Sequence, residues 1–196
     1  MTKLPVELLG GWDRPDLVAP LHECKYFDRD RVLHVLWSRL SYLAPDWLVH
    51  IPKNSKKVVD VSAGNGASLE IMRHFGYDIT GMDLYKKLYA KYELFIESQN
   101  IPLIRHDCST FPYPLKTKEY DLLINFGAIG QYFDDDLERN WIRVLNEFAR
   151  VAKSTILFIP NCGWKLDKCR KTVMNWTHPG FKLTKATDHR FRWDHI

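Results

Sequence analysis

The stretch Val58-Val59-Asp60-Val61-Ser62-Ala63-Gly64-Asn65-Gly66-Ala67-Ser68-Leu69-Glu70 decides the fold. A short apolar run ends near Asp60, glycines alternate at 64 and 66, and the residues after them suit a helix, so one strand passes through a tight turn into one helix. Such a turn admits a ligand close to the backbone, and the free amide groups that open the helix favour polar or anionic atoms. Leu69 falls where a dinucleotide fingerprint has its third glycine, and Ala67-Ser68 follows Gly66 where a P-loop has Lys-Ser/Thr. Both departures weigh against those two cofactor classes.

Working outward, the same texture repeats. KKVVDV (56–61), DITGM (78–82), PLIRH (102–106), YDLLINFG (120–127) and TILFIP (155–160) read as strands. Between them ASLEIMRHF (67–75), YKKLYAKYELFIESQ (85–99) and DDLERNWIRVLNEFARVAK (135–153) suit helices, the last with Leu137, Trp141, Val144, Leu145 and Phe148 at helical spacing. Strands alternating with helices pair in parallel through right-handed crossovers. The expected fold class is α/β, a doubly wound, mostly parallel sheet with its ligand crevice at the carboxyl ends of the strands.

Before the first strand, residues 1–55 form an expected N-terminal arm and helix. Asp28 or Asp30 caps this helix, Val32, Leu33, Leu36, Trp37, Leu40 and Leu43 share its face, and Pro45 stops it. Residues 56–196 then make the main unit of a single-domain chain. The last part, Asn161 to Ile196, carries eight Lys/Arg against three Asp, interleaved with Trp164, Trp176, Phe181, Phe191 and Trp193. That mixture suits either a surface for nucleic acid or an anionic metabolite or, more often, a sheet edge with aromatics inward and Lys/Arg outward.

Composition sets the remaining bounds. The 196 residues are 45% hydrophobic and 27% charged with a net charge of +4, the profile of an ordinary soluble domain. A chain of this length buries roughly 70% of its unfolded surface and needs no staple. The cysteines at 24, 108, 162 and 169 match no metal or disulfide spacing and read as reduced thiols. No signal peptide or membrane span is apparent, so a cytoplasmic protein without membrane insertion is expected.

With these residues in view, the chain resembles the class I S-adenosylmethionine-dependent methyltransferases. Their first motif, Asp-x-Gly-x-Gly-x-Gly, stands here as Asp60 to Gly66, with Ser62 in place of the first glycine. The resemblance implies a Rossmann-like methyltransferase fold and S-adenosylmethionine as cofactor, held by Asp60, Ser62, Ala63, Gly64 and Gly66. It further implies that Asp83, followed by Leu84, accepts the ribose hydroxyls, and that Asp107 takes the adenine amine beside the Cys108 amide. Asn125 and Phe126 are implied at the methionine end. The family usually closes its sheet with an antiparallel pair, and FKLTKATDHRFRWDHI (181–196) leaves room only for an abbreviated C-terminal strand pair.

Each of these residues also has a plainer reading: glycines that only connect, and acids that only cap. Their shared register favours the cofactor. Asp134, Asp135 and Asp136 suit a helix start better than a metal, so no metal is expected. His106 suits packing better than catalysis. Gln131 and Tyr132 are candidate acceptor-pocket residues, and Tyr26 and Arg29 are placed to reach over the cofactor. No catalytic base is assigned.

The expected activity is methyl transfer to an oxygen or nitrogen of a polar small molecule. Asn125-Phe126-Gly127-Ala128 lacks the Pro-Pro-aromatic pattern of exocyclic DNA-amine methylation, and a Pro-Cys nucleophile is missing. A nucleic-acid acceptor is open but not favoured. The alternatives are a non-catalytic methyltransferase-fold partner subunit, or an RNA or protein methyltransferase. The oligomeric state is not set by the sequence.

Overall fold

The computed structural model describes residues 57–74, 76–84, 90–126, 137–158, 165–187 and 190–196. The N-terminal arm with Tyr26 and Arg29, and the segment holding Gln131, Tyr132 and Asp134 to Asp136, lie outside the described residues.

In chain order the elements are β1 (Lys57–Val61), α1 (Ala67–His74), β2 (Asp78–Asp83), α2 (Ala90–Ser98), β3 (Leu103–Arg105), β4 (Tyr120–Phe126), α3 (Leu137–Val151), β5 (Ala152–Phe158), α4 (Lys165–Asn175), β6 (Phe181–Ala186) and β7 (Arg190–His195). They build a seven-stranded sheet in the order β3-β2-β1-β4-β5-β7-β6. The first five strands are mutually parallel, and β7 runs antiparallel between β5 and β6. The chain winds outward from β1 through β2 to β3, then returns to lay β4 on the other side of β1. The carboxyl ends of β1 and β4 therefore flank the switch point where a doubly wound sheet opens a crevice.

The strands form where the sequence is apolar on both faces. Val58, Val59, Val61, Leu122, Leu123 and Ile124 are fully buried, as central strands under helices on both sides require. On α3 the helical spacing holds: Trp141, Val144, Leu145 and Phe148 are buried in the core cluster. Glu147, also on the inward side, accepts the Tyr113 amide at 2.6 Å, and Arg150 donates to the carbonyls of Leu115 and Tyr113. These bonds tie the connection before β4 to the helix after it.

The C-terminal pair is short, six residues in each strand. β7 pairs with β5 from Ser154↔Asp194 to Phe158↔Arg190, and β6 forms the outer edge with an irregularity between Leu183 and Lys185. Phe181, Phe191 and Trp193 face inward as expected, and Lys182 is exposed. Arg192 departs from the outward pattern: it is 3% exposed and its guanidinium grips Asp194. The reason is position, since β7 is an interior strand. Helix α4 was not legible as a helix in the sequence; it buries only Cys169 and Val173 among its described side chains and packs along α3.

Among the described residues no helix is long and apolar enough to cross a membrane, and no group of His, Cys, Asp or Glu is placed to hold a metal. Cys108 and Cys169 are buried free thiols.

Candidate functional site

The site grows from the exit of β1. The amides of Ser62 and Ala63 both donate to the Met82 carbonyl, at 2.8 and 3.2 Å, which turns the chain sharply at the end of β2. The turn demands left-handed backbone at three positions: Ser62 (φ +69°), Gly64 (φ +56°) and Gly66 (φ +80°). The serine in the first glycine slot thus adopts the glycine conformation, at a cost of about 1–2 kcal/mol. The Asn65 side chain accepts the Ala67 amide at 3.2 Å and caps α1.

The two glycines are needed for different reasons. A Cβ at Gly66 would lie 2.7 and 2.9 Å from the Ile96 side chain of α2, so that glycine closes the core. Among the described residues a Cβ at Gly64 would meet nothing nearer than the Ser62 carbonyl at 3.9 Å, and these leave the space above it open.

Acidic side chains hold this loop in place. The Asp83 carboxylate, 9% exposed at the end of β2, accepts the Gly64 amide at 2.9 Å and the Leu84 amide at 2.6 Å. Fully buried Asp60 accepts a hydrogen bond from Ser68 of α1. The fully buried Asn125 side chain donates to the Val61 carbonyl, joining β4 to the start of the loop. Its carbonyl oxygen is buried without a hydrogen-bond partner among the described residues, and the buried Ser62 hydroxyl lies against the Cys108 thiol.

The segment after β3 packs alongside. The His106 amide donates to the Asp83 carbonyl at 3.0 Å, and the Cys108 thiol lies 3.8 Å from the Met82 carbonyl. Asp107 accepts the Ser109 amide at 2.9 Å and its hydroxyl at 2.6 Å. Burial pushes the Cys108 thiol up to about 12, so it stays protonated and is no nucleophile at neutral pH. The His106 ring packs edge-on against Tyr113.

The structure therefore brings Ser62, Ala63, Gly64, Asp83, Leu84 and the 106–108 segment to one end of the sheet. Of the sequence-named residues, Gly64, Leu84, Asp107 and Phe126 are partly accessible, whereas Asp60, Ser62, Ala63, Gly66, Cys108 and Asn125 are buried. Asp60 braces α1 and Asn125 braces β1. Ser68 was missed by sequence reasoning, and its one signal is a hydroxyl in the first turn of α1, facing back to the strand.

A cofactor's fit can be judged from this donor set. Residues 60–68, 83–84 and 107–110 include three aspartates and no Lys or Arg. Such a crevice suits a ligand carrying hydroxyl donors and a positive charge, and it opposes a di- or triphosphate. The Gly64 face that the described residues leave open, beside the Asp83 carboxylate, could admit an adenosyl group and offer it an acceptor. The residues fit S-adenosylmethionine.

Fold and loop together define a doubly wound adenosyl-cofactor domain of the Rossmann-like methyltransferase type. The chain belongs to the methyltransferase-domain family, whose family model matches residues 59–159. No curated protein matches the sequence. Among solved structures, the PH0226 protein from Pyrococcus horikoshii OT3 superposes with a TM-score of 0.63 at 17% identity, over 81% of this chain and 90% of that one. A TehB-like SAM-dependent methyltransferase from Corynebacterium glutamicum gives 0.55 at 12% identity, over 86% of this chain and 100% of that one. The magnesium protoporphyrin IX methyltransferase from Synechocystis PCC 6803, with bound SAM, gives 0.56 at 14% identity over 100% of both chains. At these identities the likeness is one of fold. The cofactor that goes with this domain is S-adenosylmethionine.

Proposed function

We propose that this protein is an enzyme that transfers a methyl group from S-adenosylmethionine to an oxygen or nitrogen of a polar small molecule. The observation that carries the cofactor half is the Asp83 carboxylate, fixed by the Gly64 and Leu84 amides beside the open face of Gly64. Each carboxylate oxygen has a second lone pair, so Asp83 accepts ribose hydroxyls without giving up the loop. Asp107, oriented by Ser109, takes the adenine amine, with the Cys108 amide beside the ring. Phe126 flanks the methionine end, at the end of β4.

When bound, the cofactor supplies an electrophilic methyl carbon on a sulfonium. The protein's task is to hold an acceptor lone pair in line with that carbon and close to it, which by itself lowers the barrier substantially. An amine acceptor arriving neutral needs no base. The chain leaving β4 runs on toward Gln131 and Tyr132, which we assign to the acceptor pocket. Between successive described elements no connection is longer than the 14 residues from β3 to β4, too few for an added recognition domain within the sheet, which favours a compact acceptor over a macromolecular one.

Isothermal titration with S-adenosylmethionine, S-adenosylhomocysteine, NAD and ATP tests the cofactor. Binding of the first two alone supports the reading, and binding of neither by a folded protein overturns it. A screen of sugars, carboxylates and amines with methyl-labelled cofactor tests the acceptor. Cofactor binding without transfer to any small acceptor, accompanied by transfer to RNA or protein, would replace the small-molecule assignment.

A further inference from the structure

Far from the glycine loop, α3 and α4 enclose a groove of about 480 Å³, open to solvent. It lies toward the opposite end of the sheet. Asn146 sits near the end of α3, which runs directly into the start of β5, and Trp176 and Thr177 lead from α4 to Phe181. The strand β6 that begins there pairs with the end of β7 at Phe181↔His195, beside the start of β5.

Three features give the groove a chemistry. Lys168 and Lys171, one turn apart on α4, line it together with Thr172 and Asn175, and among the described residues no acidic one does. Neither lysine is engaged in an ion pair among the described residues. Trp176 forms a fixed apolar wall: its indole N–H donates to Asn146 at 3.1 Å, one face is stacked on His178, and Trp193 meets it edge-on. Two ammonium groups with no acidic partner among the described residues, the Asn175 amide and an immobilised indole suit an anion attached to a flat or apolar body, while the Thr172 hydroxyl is spent on the Lys168 carbonyl. The acidic crevice at the glycine loop has the opposite character.

We propose that the α3–α4 groove is a second binding site, for a phosphate ester of the nucleotide type, with Lys168 and Lys171 on the phosphate and Trp176 against the body of the ligand. A free nucleotide and a single RNA strand share this chemistry. Because the groove is remote from the crevice, its occupant either acts separately from the methyl acceptor or spans both sites as an extended strand.

The test uses the full chain and the double variant Lys168→Gln/Lys171→Gln, whose positions are exposed, with ADP by calorimetry and a short fluorescein-labelled oligouridylate by anisotropy. Binding of either probe is expected, weakened about tenfold or more in the double variant. For the oligonucleotide, the slope of log affinity against log salt should flatten by about 1.4, from about 0.7 per lost phosphate contact. Affinity for S-adenosylhomocysteine should be unchanged, so the result stands apart from the cofactor assignment. ADP binding alone would identify a free nucleotide as the source, and preference for the oligonucleotide would identify an RNA strand. The proposal is overturned if neither probe binds, if the double variant binds as the parent does, or if maltotriose binds equally well and independently of salt.

Discussion

Asp83 and Gly64, 19 residues apart in the chain, are joined by a 2.9 Å hydrogen bond from the Gly64 amide to the Asp83 carboxylate. The end of β2 thereby fixes the apex of the loop that leaves β1. One carboxylate both shapes the cofactor loop and stands beside its open face.

Replacing this carboxylate should therefore cost binding more than folding. Asp83→Ala is expected to weaken S-adenosylhomocysteine about tenfold to a hundredfold, the equivalent of about 1.5–3 kcal/mol for hydrogen bonds to a charged group. Asp83→Asn, which keeps an acceptor for one amide, should lose less. Calorimetry on variants that still melt cooperatively checks this, and equal affinity in Asp83→Ala would remove Asp83 from the site.

The two loop glycines should separate in their effects. In Gly66→Ala the new methyl would meet Ile96 at 2.7 Å on a left-handed backbone, a combined penalty of about 2–5 kcal/mol from strain and overpacking. Gly64→Ala has only the left-handed cost among the described residues, about 1–2 kcal/mol, and its methyl enters the space where we propose that the cofactor sits. Urea unfolding should show the larger loss at position 66, while titration should show the specific loss of cofactor affinity at 64. Because both clashing atoms, Cγ1 and Cδ1, belong to the Ile96 side chain, Gly66→Ala in an Ile96→Ala background should cost less than Gly66→Ala in the parent, which would confirm the cause.

Ser62→Gly is expected to stabilise the protein by about 1 kcal/mol. It removes the left-handed serine, against a smaller entropic cost of the new glycine and the loss of the hydroxyl's weak contact with the Cys108 thiol. For a chain of this size the melting midpoint should rise by about 2–4 °C. A fall would mean that the hydroxyl is satisfied in solution.

Acid should loosen the C-terminal strand pair. Burial by itself would raise the Asp194 carboxyl, but hydrogen bonds from Arg192, Thr184 and Ser154 outweigh it and hold the group below its ordinary value of 3.8. A depressed folded value favours the charged form, so this contribution is complete above 3.8 and is lost as the pH falls through the lower folded value. Asp194→Asn should lower stability at neutral pH and flatten its decline in that acidic window. Unfolding curves across the range for parent and variant decide it.

Much of the fold was legible in the chain itself. The runs from Val58, Ile79, Leu122 and Ile156 announce strands buried on both faces, and Trp141, Val144, Leu145 and Phe148 announce the inward face of α3. Asp60, Gly64, Gly66, Asp83 and Asp107 could be named because each lies at the end of a recognisable strand. Helix α4 could not, because its buried face is narrow and its stability comes from packing on α3.

The sequence by itself determined the alternation of strands and helices from β1 to β5, the place of the glycine turn and the acids near the strand ends, because local periodicity records which side of each element meets the core. Only the tertiary structure decided what those residues do. Gly66 is required by Ile96, Asp60 is turned onto Ser68, Asn125 reaches Val61, and Arg192 is buried because β7 lies between β5 and β6. These are meetings of distant segments, set by how the elements pack, and no local pattern of residues encodes them.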